Sequence, residues 1–264
     1  GSRAGGRRVT HRFEVLPDVQ SVAAATADRL IGAGRNAIRR RGRFILALTG
    51  GTTPLAVCPL LVVPPRVRML DWSRVEFFFG DERAVPPNDP ESNYNTARLA
   101  LLDYLPGLRM DQVHRMPCEL QDLDAGAWQY ERELREVIGG EGIPRFDLIW
   151  LGMGADGHTA SLFPGTAALG ERERLVVANW VPSLDAWRMT LTYPVLNAAR
   201  DAMFVVTGED KAPAVAAVRS GSPDPPAARV RARRTVWLVD EAAAGSPASP
   251  GADERQAATA GSIR

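Results

Sequence analysis

The sequence FILALTGGTTP, residues 44–54, contains the elements that decide the fold. Its first five residues are apolar and have the length of a buried strand, and a glycine-rich turn follows them. Residues 55–62 then have helical composition, although Pro59 weakens this prediction unless it lies in the first turn. A strand that leads through a tight turn into a helix is typical of α/β proteins with a parallel sheet.

Similar apolar runs occur on both sides of this stretch. We predict strands at 75–79, 146–151, 202–207 and 235–239, with a shorter candidate at 189–192. We predict helical segments at 18–38, 94–104, 125–138 and 194–200, and after Lys211. This alternation predicts an α/β fold in which a mostly parallel sheet has helices on both faces.

The domain boundaries follow from changes in composition. Residues 1–12 are polar and basic, and we expect a flexible N-terminal arm. Residues 13–241 form the predicted α/β domain, with the possibility of a small subdomain. Residues 242–264 are rich in Ala, Gly and Ser, which predicts a disordered tail.

The composition excludes several classes of protein. Of the 264 residues, 45% are apolar and 24% are charged, which excludes a disordered chain and a fibre. The 32 Lys and Arg residues nearly balance the 31 Asp and Glu residues, so we expect neither nucleic acid nor a membrane as a partner. The local basic run at Arg39, Arg40, Arg41 and Arg43 is interpreted as a solvated helix end, with RNA binding as the alternative.

The spacing of the cysteines and the length of the apolar runs indicate the cellular compartment. Cys58 and Cys118 lack the spacing of a metal or redox motif, and we expect buried free thiols in a reducing compartment. We find no signal-peptide pattern and no apolar run as long as a membrane span. These features predict a cytoplasmic protein.

Four polar or glycine-rich segments follow predicted strands, at 49–54, 80–83, 152–158 and 207–211. Because ligands of parallel sheets bind beyond the carboxyl ends of the strands, we expect these segments to meet at one cleft. In the first segment, Gly50 and Gly51 would let backbone N–H groups approach an anion, and Thr52 and Thr53 would add hydroxyl donors. We predict a phosphate cradle there, against the alternative of a tight turn with a threonine cap.

Lys211 is the only lysine among the 32 basic residues. Its retention in an arginine-rich chain indicates a position that needs a compact ammonium group, such as an anion site. Lys211 also follows a predicted strand, so it would close over the anion held at 49–54. Arg188 is a weaker candidate for the same role, with a surface charge as the alternative.

The segment GMGADG at 152–157 matches the GxGxxG pattern of dinucleotide sites. Such a site needs a long helix after the third glycine, and Pro164 would end a helix within about two turns, so dinucleotide binding is disfavoured. His158 follows these glycines at a strand end. Because an imidazole changes charge near neutral pH, His158 is a candidate general base, against the alternative of a structural histidine.

Three further charged residues lie at the same strand ends. Arg83, in GDER at 80–83, would direct a cation at a developing oxyanion or would belong to a capped turn with a salt bridge. Asp81 and Asp156 would orient His158 or polar groups of a substrate. The chain has no GxSxG, HExxH or zinc spacing. The remaining set suits water attack or proton transfer on a sugar phosphate.

Six stretches together form a specific signature. They are LTGGTTP (48–54), VEFFFGDER (75–83), SNYNTAR (92–98), VHRMP (113–117), FDLIWLGMGADGHTASLFPG (146–165) and RMTLTYPVLNAAR (188–200). In this order they resemble the 6-phosphogluconolactonases, within the larger group that includes the glucosamine-6-phosphate deaminases. The likeness extends from about residue 11 to residue 240, and it implies a modified Rossmann-like sheet.

The resemblance also implies an activity, the hydrolysis of 6-phospho-D-glucono-1,5-lactone in the oxidative pentose phosphate pathway. It implies that His158 is the general base and that Arg83 contacts the lactone carbonyl. Thr52, Thr53, Arg188 and Lys211 would hold the phosphate. We expect no metal or cofactor, a sugar phosphate lactone as the only partner, and a monomer.

The deaminases are the closest alternative. Their pattern has a glutamate in an FNEP-like stretch and a tyrosine in place of Arg83, whereas this chain has SLFP at 161–164. Because ring opening and amine chemistry need the missing acid, the lactonase interpretation is favoured. A sugar-phosphate-binding regulator without turnover is the second alternative.

Overall fold

The computed structural model describes residues 11–51 and 53–245, and for Thr53 it describes only the backbone. The strands are β1 (His11–Leu16), β2 (Phe44–Leu48), β3 (Val75–Phe79), β4 (Asp81–Arg83), β5 (Leu148–Leu151), β6 (Val176–Val181), β7 (Ala186–Leu191), β8 (Asp201–Val206) and β9 (Arg234–Asp240). The helices are α1 (Val19–Arg41), α2 (Thr53–Leu61), α3 (Asn93–Ala100), α4 (Leu123–Ile138), α5 (Tyr193–Ala198) and α6 (Ala212–Arg219).

Two sheets organise these elements. Six parallel strands form the large sheet in the order β1-β9-β8-β5-β2-β3. The small sheet is antiparallel, in the order β4-β7-β6. The predicted α/β fold with a mostly parallel sheet is therefore confirmed.

Alternate residues of the large sheet face two separate apolar clusters. In β2, Leu46 and Leu48 pack in the cluster that contains residues of α1, α2 and α3. Ile45 and Ala47 pack in the other cluster, with residues of α4, α5 and α6. This period of two, in strands that are buried on both faces, explains why β2 is apolar at every position. The small sheet shares the second cluster through Val176, among others.

Helix α1 shows how local sequence sets the boundaries of an element. The Asp18 carboxylate accepts a 2.7 Å hydrogen bond from the Ser21 N–H, which caps the first turn as the sequence predicts. Gly42, with φ of 79°, ends the helix after Arg41. Arg41 forms an ion pair with the buried Asp147 at 2.8 Å. Arg39, Arg40 and Arg41 remain exposed, which agrees with a solvated helix end, although Arg41 also pairs with a buried carboxylate.

The structure corrects the sequence interpretation at several places. Strand β1 begins at His11, inside the predicted arm, and residues 1–10 lie outside the described residues. Residues 242–245, at the start of the predicted tail, form turns with Ala243 buried, and residues 246–264 lie outside the described residues. The sequence analysis also did not predict β1, β4 or β6 as strands.

The chain reverses its direction of winding between β2 and β5. From β2 it proceeds to β3 on one side, whereas β8, β9 and β1 lie on the other side of β5. The loops after two adjacent parallel strands diverge at such a reversal and leave a crevice at their carboxyl ends. The loop at 49–51 and the segment at 152–158 border this crevice.

Two further predictions concern the state of the cysteine thiols and membrane-spanning segments. Cys58 and Cys118 are free and buried, as predicted, and burial raises the pKa of Cys58 to about 12. Within residues 11–51 and 53–245, no helix has both the length and the apolar character needed to cross a membrane.

Candidate functional site

All four segments that were predicted to meet at one cleft line a single cavity of about 220 Å³ at this crevice. The residues around it are Thr49, Gly50, Gly51, Asp81, Arg83, Asn93, Gly152, Met153, Gly154, His158, Ala160, Val205, Val206, Thr207 and Lys211. They come from the carboxyl ends of strands in both sheets and from the start of α3. The topology of the sheet therefore gathers polar groups that are far apart in the sequence.

The lining of the cavity includes the components of an anion site. Gly50 and Gly51 line it, and helix α2 begins at Thr53, directly after the loop. Lys211 lines the cavity too, and its ammonium contacts the Asp210 carboxylate at 2.9 Å. A helix N-terminus and an ammonium both favour negative charge. Thr52 lies outside the described residues, as does the Thr53 side chain, so their predicted hydroxyl contacts stay predictions.

At the end of β5, Asp156 and His158 form a pair. The Asp156 Oδ1 atom lies 2.6 Å from His158 Nδ1 and accepts a 3.0 Å hydrogen bond from the His158 backbone N–H. Burial raises the pKa of Asp156, but the hydrogen bonds and the charge of His158 outweigh it, and the pKa lies below its ordinary value. Asp156 is therefore a carboxylate, which accepts hydrogen bonds and cannot donate them.

This pair determines the tautomer of the imidazole. Because the Asp156 carboxylate only accepts, Nδ1 of His158 carries the hydrogen and Nε2 keeps a lone pair when the ring is neutral. No described residue forms a hydrogen bond with Nε2. A Cβ atom on Gly154 would lie 2.1 Å from Nδ1, so only glycine allows the ring this close to the backbone. The geometry leaves Nε2 available as a base at the cavity.

Asp81 also lines the cavity but forms no hydrogen bond with His158. It is 8% exposed, and its carboxylate accepts hydrogen bonds from Ser161 Oγ at 2.7 Å and from Asn93 Nδ2 at 3.3 Å. The expectation that Asp81 orients His158 is therefore not met, and Asp156 alone does so. The alternative role of Asp81, toward polar groups of a substrate, stays a prediction.

Arg83 and Arg188 are neighbours across the small sheet. They are directly paired residues of β4 and β7, so their side chains share one face with Asp81. Arg83 donates a hydrogen bond to the Glu91 carbonyl, and no ion pair to Arg83 occurs among the described residues. The alternative of a capped turn with a salt bridge therefore lacks its ion pair, although Glu82 does accept a hydrogen bond from the Arg83 backbone N–H. Burial, followed by the charge of Arg83, lowers the pKa of Arg188, which does not itself line the cavity.

Sequence reasoning missed two residues that shape the site. Asn93 lines the cavity, and its carboxamide packs so close to Gly50 that a Cβ there would lie 1.9 Å from Asn93 Oδ1. Glu82 is buried and accepts hydrogen bonds from the backbone N–H groups of Arg83, Asn93 and Tyr94 and from the Ser92 hydroxyl. The capping residues in SNYN at 92–95 were the available signal for this helix start.

The remaining histidines lie away from the cavity. His11 accepts a 2.9 Å hydrogen bond from Trp237 Nε1, and His114 is buried between two glutamates. In the described part of the chain, no group of three or more His, Cys, Asp and Glu side chains could hold a metal ion. Residues 152–158 lead into turns and not into a long helix, as the sequence analysis expected.

Comparison with known proteins identifies the family. The family model described as glucosamine-6-phosphate isomerases/6-phosphogluconolactonase matches residues 17–237. The chain belongs to this family. The matched residues include β2 to β8, β9 as far as Trp237 and every described residue around the cavity, whereas β1 precedes them.

Individual members of the glucosamine-6-phosphate isomerase/6-phosphogluconolactonase family are similar over most of their length. The 6-phosphogluconolactonase of Mycobacterium tuberculosis is 39% identical over 241 residues, which cover 88% of this chain and 96% of the relative. That of Streptomyces coelicolor is 39% identical over 246 residues, covering 89% and 94%. The solved 6-phosphogluconolactonase from Trypanosoma cruzi superimposes with a TM-score of 0.79 at 26% identity, covering 92% of this chain and 99% of that one.

Proposed function

We propose that the chain hydrolyses 6-phospho-D-glucono-1,5-lactone to 6-phosphogluconate, a step of the oxidative pentose phosphate pathway. The similarity to curated 6-phosphogluconolactonases indicates a lactone hydrolase. The proposal assigns the steps of the reaction to particular residues. The observation that carries it is the free Nε2 of His158, which Asp156 orients at a cavity whose lining also includes an ammonium and a glycine loop. The ammonium and the glycine loop would bind the phosphate of the ester, and the base would activate the attacking water. The reaction needs both in one cavity.

His158 acts as the general base. A lactone is an activated ester, so water can attack C1 directly and no covalent nucleophile is needed. Nε2 of His158 takes one proton from the attacking water, and Asp156 stabilises the imidazolium that forms. A positioned base of this kind contributes about 10²–10⁴-fold to the rate, or roughly 3–5 kcal/mol.

Arg83 stabilises the negative charge that grows on the carbonyl oxygen. This charge exists fully only in the tetrahedral intermediate, so the interaction lowers the barrier more than it tightens substrate binding. When the intermediate collapses, the bond from C1 to the ring oxygen breaks. The His158 imidazolium returns its proton to that oxygen, which leaves a carboxylic acid and a hydroxyl group.

The phosphate fixes the ring at a distance from the reacting carbon. The loop at Gly50 and Gly51, the start of α2 and Lys211 bind the phosphate, whereas Arg188, which does not line the cavity, is left out of this assignment. Binding energy from this remote group holds C1 near His158 and offsets the entropy lost on binding. The Asp81 carboxylate accepts a hydrogen bond from a sugar hydroxyl.

The proposal is tested with freshly prepared lactone. Hydrolysis at neutral pH releases a proton, because the product acid ionises, so a pH-stat follows the reaction directly. The rate must exceed spontaneous hydrolysis and must depend on His158, with the His158→Asn variant as the matched control. A parent chain that gives only the spontaneous rate contradicts the proposal.

Two further measurements separate the alternatives. Release of ammonia from glucosamine 6-phosphate would indicate a deaminase. Binding of a sugar phosphate without turnover of either substrate would indicate a regulator. Among the described residues, Asp156 is the only carboxylate hydrogen-bonded to His158, so we expect lactone turnover and no ammonia.

A further inference from the structure

We propose that Phe163 is a positioning residue that fixes the plane of the His158 imidazole, an inference that rests on the function proposed above. The two rings are stacked, with centroids 4.0 Å apart and planes inclined by 21°. Phe163 is only 8% exposed, so its own ring is held in place. It is not among the residues that line the cavity, so it acts on the substrate only through His158.

The stack adds a second restraint on the ring to that of the hydrogen bond with Asp156. One hydrogen bond at Nδ1 holds a point of the imidazole, whereas the orientation of the ring depends on a torsion that is broad and two-fold. Rotation about this torsion would move Nε2 away from the attacking water. A flat side chain against the face of the ring opposes that rotation.

The loop is built to bring Phe163 back over His158. A tight turn closes where the Leu162 N–H donates to the Thr159 carbonyl at 2.9 Å, and Ala160 has a left-handed φ of 48° within it. The Thr166 hydroxyl then holds the Phe163 carbonyl at 2.8 Å. Both ends of the turn are therefore fixed, and the phenyl ring is pre-organised against the imidazole.

The contact also fits the charge that His158 acquires. When Nε2 has taken the proton from water, the ring is an imidazolium, and an aromatic face attracts a cation. An aliphatic side chain of similar volume offers neither this attraction nor a flat surface. Loss of the phenyl ring should therefore lower kcat and leave KM nearly unchanged.

The first test compares two substitutions. Phe163→Leu should lower kcat about tenfold, because small errors in the position of a catalytic group are costly. Phe163→Tyr keeps a flat ring and should restore most of the rate. Phe163→Met replaces the leucine variant if that chain fails to fold. A leucine or methionine variant with the kcat of the parent chain, or equal losses in the leucine and tyrosine variants, would overturn the proposal.

The second test asks whether the effect passes through His158. In a His158→Asn background, Phe163→Leu should cause no further loss of kcat, because there is no base left to position. The same fold-loss in both backgrounds contradicts the proposal. Phe78→Leu is the matched control, since Phe78 is stacked on His114 at 4.3 Å, and it should leave kcat unchanged.

The third test needs no substrate and therefore distinguishes this proposal from the function on which it rests. In the parent chain, the ¹⁵N shifts of the His158 ring should show a single tautomer with the hydrogen on Nδ1. In Phe163→Leu the ring should rotate away from Asp156 for part of the time, so that Nδ1 loses its acceptor and the shifts move toward an average of both tautomers. An unchanged spectrum overturns the positioning role, whereas a parent chain that does not hydrolyse the lactone overturns the function alone.

Discussion

His158 and His114 have similar immediate surroundings but different exposure. Each has Nδ1 at 2.6 Å from a carboxylate, Asp156 for His158 and Glu133 for His114. Each is stacked on a phenylalanine, at 4.0 and 4.3 Å between centroids. The side chain of His158 is 30% exposed and that of His114 is 7% exposed.

The second ring nitrogen makes the difference. His114 Nε2 lies 3.0 Å from Glu76, so both nitrogens contact carboxylates. Burial lowers the pKa of His114, but the two glutamates outweigh it and raise the pKa to about 9. His114 is therefore an imidazolium at neutral pH, with no lone pair to accept a proton. A histidine beside a carboxylate is a base only where its other nitrogen is left free.

The largest expected effect comes from substituting each of the two histidines in a separate variant. His158→Asn should lower kcat by at least about 100-fold with little change in KM, because it removes the general base. His114→Gln should leave kcat close to that of the parent chain and should lower the melting temperature instead. Steady-state kinetics and thermal unfolding measure both. Equal kcat losses in the two variants would remove the distinction between the histidines.

The next effect is the change in the free energy of unfolding with pH. His114 has a folded-state pKa of about 9 and an unfolded value near 6.5, so its contribution is complete below pH 6.5 and is lost as pH rises through 9. A difference of this size corresponds to about 3 kcal/mol. Urea unfolding between pH 6 and 10 should show the decline in the parent chain and a much flatter profile in His114→Gln. Parallel profiles would show that His114 is not held as a cation.

The third prediction concerns Lys211 and the binding of the substrate phosphate. Lys211→Ala should lower kcat/KM for the phosphorylated lactone about 30-fold, since charge-assisted hydrogen bonds contribute about 2 kcal/mol. Glucono-1,5-lactone, which lacks the phosphate, should lose little. Lys211→Arg should also be impaired if a compact ammonium is required. Equal losses on both lactones would contradict the phosphate role.

The smallest effect comes from the carboxylates themselves. Asp156→Asn should lower kcat about tenfold, because an amide no longer requires the hydrogen on Nδ1 of His158. Glu133→Gln is the matched change beside His114, and it should lower the pKa of His114 without affecting kcat. Comparison of the two pH–rate profiles tests this. A change in the profile with Glu133→Gln would connect His114 to the reaction.

The sequence predicted the large sheet well because its strands are buried on both faces. A continuous apolar run such as 44–48 has few other interpretations when a glycine turn and a helix follow. By contrast, β1 lies at the sheet edge, and its residues HRFEVL are half polar and form no continuous apolar run. In the small sheet, β4 has only three residues and pairs with β7, far away in the chain, which local composition does not show.

For the candidate site, position at strand ends predicted the cavity but not its inner contacts. The sequence placed His158, Arg83 and Lys211 at one edge, and the structure brings them to one cavity. It did not reveal that Asp156 and not Asp81 holds the imidazole. That assignment depends on the tight turn around Gly157, whose φ is 79°, and on the separate attachment of Asp81 to Ser161.

The Glu82 carboxylate has a consequence for how variants of this chain are interpreted. It holds the N–H of Arg83 on one side and the first N–H groups of α3 on the other, and Asn93 is the first residue of that helix. Glu82 itself does not line the cavity. A mutational screen that measures only turnover would group Glu82 with the residues that contact the substrate, although Glu82 stabilises the backbone of the site. Measuring folded protein alongside rate would separate the two.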